Sequence, residues 1–113
     1  MTSTGCDESL ALKTLEELTI KRQHLRGAIT RSQNEVRSLF DEKAEPEELR
    51  EKLRAYEIVC KKFFDSHGAF HAKLDNPRAI KDSGDYLTAA QENMQSFRYR
   101  AEVEMAQIEE ALQ

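Results

Sequence analysis

Apolar residues recur at helical spacing without a break across residues 11–40, and this pattern constrains the fold more than any other feature. Successive positions are three or four residues apart once Arg22 and Ser32 are counted in two gaps. The apolar members are Ala11, Leu15, Leu18, Leu25, Ile29, Val36 and Leu39. Such a stripe predicts a long amphipathic helix, from Asp7 to about residue 40, that lies along other helices.

A second helix is predicted over residues 46–74. Pro46 suits the first helical position, and Pro77 ends the pattern because it forces the residue before it out of helical geometry. Between them, apolar and aromatic side chains again step by four and three. These positions are Leu49, Leu53, Tyr56, Cys60, Phe63, His67, Phe70 and Leu74.

A third helix is predicted over residues 83–112, with Asp82 or Ser83 as its N-cap. Its stripe includes Met94, Phe97 and Ile108. The residues before the first helix, 1–6, are small and polar, which predicts a flexible N-terminal segment.

Three helices of similar length joined by short connectors predict one all-α domain over residues 7–113. Short connectors favour antiparallel neighbours, so the expected architecture is an antiparallel three-helix bundle or coiled coil. A chain of 113 residues rich in Glu, Lys, Arg, Leu and Ala fits this architecture. The open alternative is a helix that stays extended and pairs with a second copy of the chain.

Basic residues concentrate in the second half of the first helix, where Glu35 is the only acid between residues 21 and 40. The third helix ends in a run of glutamates. We expect these two segments to pair, within the chain or between subunits, although contact with RNA or an anionic membrane stays open. The basic residues are Lys21, Arg22, Arg26, Arg31 and Arg37, and the acids are Glu102, Glu104, Glu109 and Glu110.

Five residues of the first helix are candidates for setting register and partner choice. A glycine inside a helix costs stability, so we expect a neighbouring backbone to approach closely at Gly27. Polar residues beside an apolar seam tend to fix register and oligomeric state. The candidates are Arg22, Gly27, Thr30, Arg31 and Asn34.

The sequence offers no arrangement typical of catalysis. His67 and His71 lie four residues apart on one helix, but no third metal ligand accompanies them. Cys60 lies on the apolar stripe, where a buried cysteine behaves as a small hydrophobe. We therefore expect a non-enzymatic protein without metal, cofactor or small-molecule substrate. The absence of a secretory signal and of a long apolar run predicts a cytoplasmic protein.

The segment from residue 21 to residue 40 resembles the helical segment near the start of Gag-like polyproteins of BEL/Pao-type retroelements. The resemblance rests on a Gly-x-Ile-Thr-Arg core over residues 27–31, followed by Asn34. It continues through Pro-Glu-Glu-Leu at residues 46–49, the aromatic pair Phe63-Phe64, and an Ile-x-x-x-Leu ending at residue 112. It covers roughly residues 15–113, in an active or a host-domesticated copy.

The resemblance implies an N-terminal helical assembly module that self-associates as a homo-oligomer or binds another helical protein. It does not imply a capsid lattice or an RNA-binding region, because the chain has no Trp and no zinc knuckle. Two alternatives remain open: a spectrin-like spacer or adaptor that binds protein partners, and a module whose basic stripe contacts RNA or a membrane.

Overall fold

A computed structural model describes residues 14–113 and contains three helices, which confirms the all-α prediction. We label them α1 (Leu15–Asp41), α2 (Pro46–Ala72) and α3 (Pro77–Ala111). Residues 14–113 include no β-strand. The bundle is elongated, with principal extents of 62 × 35 × 18 Å.

Helix α1 begins at a complete capping box. The side-chain oxygen of Thr14 accepts a hydrogen bond from the Glu17 amide, and the Glu17 carboxylate accepts one from the Thr14 amide. Thr14 has an extended ψ of 159°. The prediction of a single unbroken helix through Thr14 is therefore wrong. The predicted start at Asp7 and the predicted flexible segment 1–6 lie outside the described residues.

Helix α3 begins at Pro77, earlier than the predicted start at Ser83. The side-chain oxygen of Asn76 accepts hydrogen bonds from the amides of Arg78 (2.9 Å) and Ala79 (3.2 Å). The Asn-Pro pair thus ends one segment and also caps the next helix. Ser83 is not an N-cap, because it is buried inside α3.

The turn between α1 and α2 places Lys43 in the left-handed region, with φ at 57°. Pro46 occupies the first turn of α2, as predicted, and α2 ends at Ala72 instead of residue 74. A four-residue turn, 42–45, therefore reverses the chain and sets α2 antiparallel to α1.

Cross-helix contacts fix an up-down-up topology. Lys52 of α2 pairs with Glu35 of α1, and the α3 helix returns alongside α1 so that Asn93 reaches Gln33. The backbones of α1 and α2 approach each other closely, whereas α3 makes few close backbone approaches to either. Large side chains fill the space between α3 and the α1–α2 hairpin.

The core is built from the predicted seams of all three helices. Among residues 14–113, twelve of the seam residues named above are buried or packed against the core cluster, and only Leu15, at the end of the bundle, is exposed, at 42%. The central cluster is Ile29, Val36, Tyr56, Cys60, Phe63, Ala90, Met94, Phe97 and Ala101, with Leu25, Phe40, Leu53, Val59, Tyr86 and Leu87 packed around it. Leu18 is buried, and Leu39, Phe70 and Ile108 are half-buried.

One position of the α1 stripe differs from the prediction. Gln33, and not Ser32, continues the inward face between Ile29 and Val36, and Gln33 is only 3% exposed. The apolar pattern misses it because a polar side chain stands at an inward position. Ser32 is half-buried beside it.

Candidate functional site

The outer side of α1 carries a polar, positively charged surface. Thr30, Arg31, Asn34 and Arg37 are exposed, and the other two members are half-buried. Their spacing places Gly27, Arg31 and Asn34 on the helix side away from Ile29 and Val36, with Arg26, Thr30 and Arg37 along one edge of that side. We call this surface the arginine face, and it consists of Arg26, Gly27, Thr30, Arg31, Asn34 and Arg37.

Two of the three arginines of this face, Arg26 and Arg37, bond to neutral groups. Arg26 Nη1 lies 3.3 Å from Thr30 Oγ1. Arg37 Nη1 donates to Asn34 Oδ1 at 3.0 Å, and its guanidinium also lies 5.3 Å from the Phe97 ring centroid. None of the three arginines forms an ion pair with an acidic side chain of residues 14–113.

The ion pairs of the described residues lie elsewhere. Arg50 of α2 bonds Glu109 of α3 at 2.6 Å, and Arg98 of α3 makes two 2.7 Å bonds to Glu57 of α2. The predicted pairing of basic α1 with the acidic end of α3 is therefore wrong within one chain. Five exposed α3 carboxylates take part in no ion pair of the described chain; they are Asp82, Glu92, Glu102, Glu104 and Glu110.

No other helix of residues 14–113 comes within contact distance of a side chain placed at Gly27. A Cβ added there would meet only the flexible end of Arg31, at 3.3 Å. The expected close approach of a neighbouring backbone is therefore wrong within the chain. A glycine in a helix interior costs roughly 0.5–1 kcal/mol relative to alanine, and no contact within residues 14–113 requires a glycine at this position.

A second polar cluster lies between all three helices. The Arg22 guanidinium is held between two aromatic rings, 3.8 Å from the Phe70 centroid and 4.0 Å from the Tyr86 centroid. Burial lowers its pKa, although Tyr86 partly offsets this effect. We call this cluster the polar junction, and it consists of Arg22, His67, Phe70, His71, Ser83 and Tyr86.

Hydrogen bonds connect the junction from α1 through α2 to α3. Arg22 Nη1 lies 3.3 Å from His67 Nδ1, and His67 Nε2 lies 3.5 Å from Ser83 Oγ. Ser83 Oγ lies 2.8 Å from His71 Nδ1. Because Arg22 can only donate, His67 must accept at Nδ1, which leaves its proton on Nε2. The network therefore holds His67 in its neutral form.

A third polar group is the amide of Gln33, which joins the same three helices one layer further along. Its Nε2 atom donates to the Tyr56 hydroxyl at 3.2 Å and to Asn93 Oδ1 at 2.9 Å. Burial raises the pKa of Tyr56 and keeps the phenol neutral. Such a bonded amide in a helical core fixes which side chains face one another.

Replacing Gln33 by Ala should lower the free energy of unfolding by about 1–3 kcal/mol, because the buried Tyr56 hydroxyl loses its donor. Urea unfolding followed by circular dichroism measures the change. Gln23→Ala is the matched control, since Gln23 is exposed on the same helix. Equal losses for the two variants would contradict a buried role for Gln33.

The cysteine and the two histidines of α2 that could take part in chemistry are engaged in packing or hydrogen bonds. Cys60 is buried and free, and burial raises the pKa of its thiol, so the reactive thiolate is disfavoured. The rings of His67 and His71 stack with centroids 5.7 Å apart, and both Nδ1 atoms are already engaged. No group of three or more metal-ligating side chains occurs among the residues described.

Sequence reasoning placed Arg22 and His67 on the seams but did not find their partners in α3. Extending the α3 stripe backward from Ala90 by seven residues reaches Ser83, and this extension was hidden by the late predicted start of the helix. Asn93 and Gln33 are polar, so the apolar pattern does not indicate that they face the core. Only their positions relative to inward residues could have indicated it, because Asn93 precedes Met94 and Gln33 lies one helical turn after Ile29.

In comparisons with known proteins, no family model, no curated protein and no solved structure matches this chain. No helix in the described part of the chain is long and apolar enough to cross a membrane.

Proposed function

We propose that this protein is a non-enzymatic helical assembly module whose arginine face binds exposed glutamates of α3 on a second copy of the chain. The observation that carries the proposal is a mismatch within one chain. The arginines of α1 lack acidic partners, and exposed glutamates of α3 lack basic ones, over residues 14–113. Two copies can satisfy both sets.

Charge complementarity of this kind selects partners and accelerates association more than it adds affinity. Six of the nine Lys and Arg side chains of α2 and α3 have an acidic partner in the described chain; they are Arg50, Lys52, Arg54, Lys61, Lys81 and Arg98. Lys62, Arg78 and Arg100 have none among residues 14–113. A surface made of the arginine face and the unpaired α3 glutamates includes none of the residues that form these ion pairs.

Gly27 supports the same surface. It lies among the arginines, and the space beside it contains only the mobile end of Arg31. A small residue there lets the backbone of a second helix approach α1 more closely than a side chain would allow. An interface between copies would give this glycine a role that the single chain does not.

The family assignment is part of this proposal. The Gly-x-Ile-Thr-Arg core of residues 27–31 that resembles BEL/Pao-type Gag proteins is also the centre of the arginine face. We propose that the chain is the N-terminal assembly segment of such a protein and acts in the cytoplasm. Ile29 of this core packs inward, whereas Thr30 and Arg31 are available to a partner.

The elongated shape favours one second candidate, a helical spacer or adaptor. The Cα radius of gyration is 17.9 Å, against about 13 Å for a compact domain of this size. A spacer would hold other proteins apart without binding its own copies. Its oligomeric state therefore separates it from an assembly module.

Arg31→Glu should weaken self-association at least about tenfold, because it places like charge against the α3 glutamates. Sedimentation velocity over a concentration series measures this. The control is Lys62→Glu, an equal charge change at an exposed α2 residue. Glu102→Arg combined with Arg31→Glu should recover part of the association.

Gly27→Ala gives a second, independent test, since it should raise the melting temperature and still weaken association.

A strict monomer at millimolar concentration and low salt would disprove self-association and favour the spacer. The protein could instead remain monomeric and bind RNA or anionic vesicles, with Arg31→Glu abolishing that binding. This result would show that the arginine face binds RNA or a membrane and not a second copy of the chain.

A further inference from the structure

We propose that His67 is an acid-sensitive latch that holds α3 against the α1–α2 hairpin, and that a proton on His67 opens the bundle at the Ser83 end of α3. This inference is independent of the proposed self-association. It rests on the direction of the hydrogen bonds in the polar junction and on the way α3 is attached.

The hydrogen bonds of His67 leave no room for a second ring proton. Nδ1 faces Arg22 Nη1 at 3.3 Å, and Arg22 has hydrogens to donate and no lone pair to offer. A proton on Nδ1 would therefore set donor against donor. The Ser83 hydroxyl, by contrast, can rotate and either donate a hydrogen bond to His71 Nδ1 or accept one from it.

The groups that face His67 provide no negative charge. From α1 the facing group is the Arg22 guanidinium, from α2 it is the His71 imidazole, and from α3 they are the Ser83 hydroxyl and the Tyr86 phenol ring. Within residues 14–113, no carboxylate bonds to this cluster. A charged His67 would thus lie beside a positive guanidinium without compensation.

Opening would begin at α3 because of how α3 is held. Its backbone stands away from the other helices, so side chains carry the attachment. At its far end the ion pairs of Arg98 with Glu57 and of Arg50 with Glu109 lie outside the junction. At its near end the junction supplies Ser83 and Tyr86, and these contacts are the ones that a proton on His67 would disturb.

The pH dependence follows from the direction of the pKa shift. Burial lowers the pKa of His67 from its ordinary value near 6.5, and the Arg22 and His71 charges lower it further. The unfolded chain therefore takes up the proton first as the pH falls. The stability that neutral His67 provides is complete above about pH 6.5 and is lost below it, down to the lowered pKa of the folded protein.

Amide hydrogen exchange of the full chain at pH 7.5 and pH 5.0, corrected for intrinsic rates, tests the latch. We expect the first turns of α3 to lose protection at pH 5.0 before the α1–α2 hairpin does. His67→Gln should abolish this change, because its carboxamide can accept from Arg22 and donate to Ser83 but cannot be protonated. His24→Gln is the control, since His24 is an exposed histidine on α1.

Equal loss of protection over all three helices at pH 5.0 would overturn the inference. It would also be overturned if His67→Gln lost protection at pH 5.0 to the same extent as the wild-type protein. Should that variant not fold, the wild-type imidazole resonances decide by NMR titration. His67 titrating at or above pH 6.5 would show that the folded protein tolerates the proton, and the latch would be disproved.

Discussion

Ile29→Asp should unfold the bundle or bring it close to unfolding at 25 °C. Ile29 is fully buried in the cluster that all three helices share. Removing a buried isoleucine side chain costs about 2–5 kcal/mol, and a carboxylate in its place must also leave water without a partner. A total loss above about 4 kcal/mol is large against the 5–15 kcal/mol that stabilises typical domains.

Thr30→Asp is the matched control, because it introduces the same side chain one residue further along α1. Thr30 is exposed, so we expect a change within about 0.5 kcal/mol. Thermal unfolding followed by circular dichroism compares the two. Equal melting temperatures would mean that α1 is rotated from the orientation described and that Ile29 faces solvent.

The second large effect is expected at adjacent phenylalanines of α2. Phe63→Ala should lower the free energy of unfolding by about 3–5 kcal/mol, because Phe63 is fully buried against Tyr86 and the core cluster. For a chain of this size, each kcal/mol corresponds to roughly 4–8 °C in melting temperature. Urea and thermal unfolding of the variant both measure the loss.

Phe64→Ala provides the comparison, because it removes the same atoms from the adjacent residue. Phe64 is 36% exposed and contacts Phe63 edge-on, with centroids 5.8 Å apart. We expect a loss of about 1 kcal/mol. A larger loss for Phe64→Ala than for Phe63→Ala would contradict the inward orientation of Phe63.

The helices and most inward positions could be read from the sequence because apolar spacing records directly which side of a helix is buried. Tyr56, Phe63, Met94 and Phe97 are all core residues, as their spacing predicted. Polar residues that face the core cannot be recognised in this way, because they interrupt the apolar spacing. Gln33 therefore passed unnoticed, although its amide joins all three helices.

The starts of α1 and α3 were misplaced for a related reason. Apolar spacing shows that a helix exists, but a single cap decides where it begins. Asn76 was interpreted as the end of one helix, whereas its side chain also opens the next. At Thr14 the capping box interrupts a stripe that the spacing alone carries through without a break.

Partners across helices could not be predicted, because they depend on how each helix is rotated about its own axis. The charge pattern suggested that glutamates near the end of α3 would meet α1. The rotation of α3 instead turns Glu109 to Arg50 of α2. Arg22 and His67 were both placed on seams, but their contact depends on the register between α1 and α2.

The four-residue turn between α1 and α2 has a kinetic consequence. It brings two long helices together at a small loop-closure cost, equal in length to the 73–76 connector, and the backbones of α1 and α2 are the most closely packed pair in the bundle. The hairpin can therefore form in the folding transition state before α3 docks. Low contact order of this kind gives helical bundles folding times from microseconds to milliseconds.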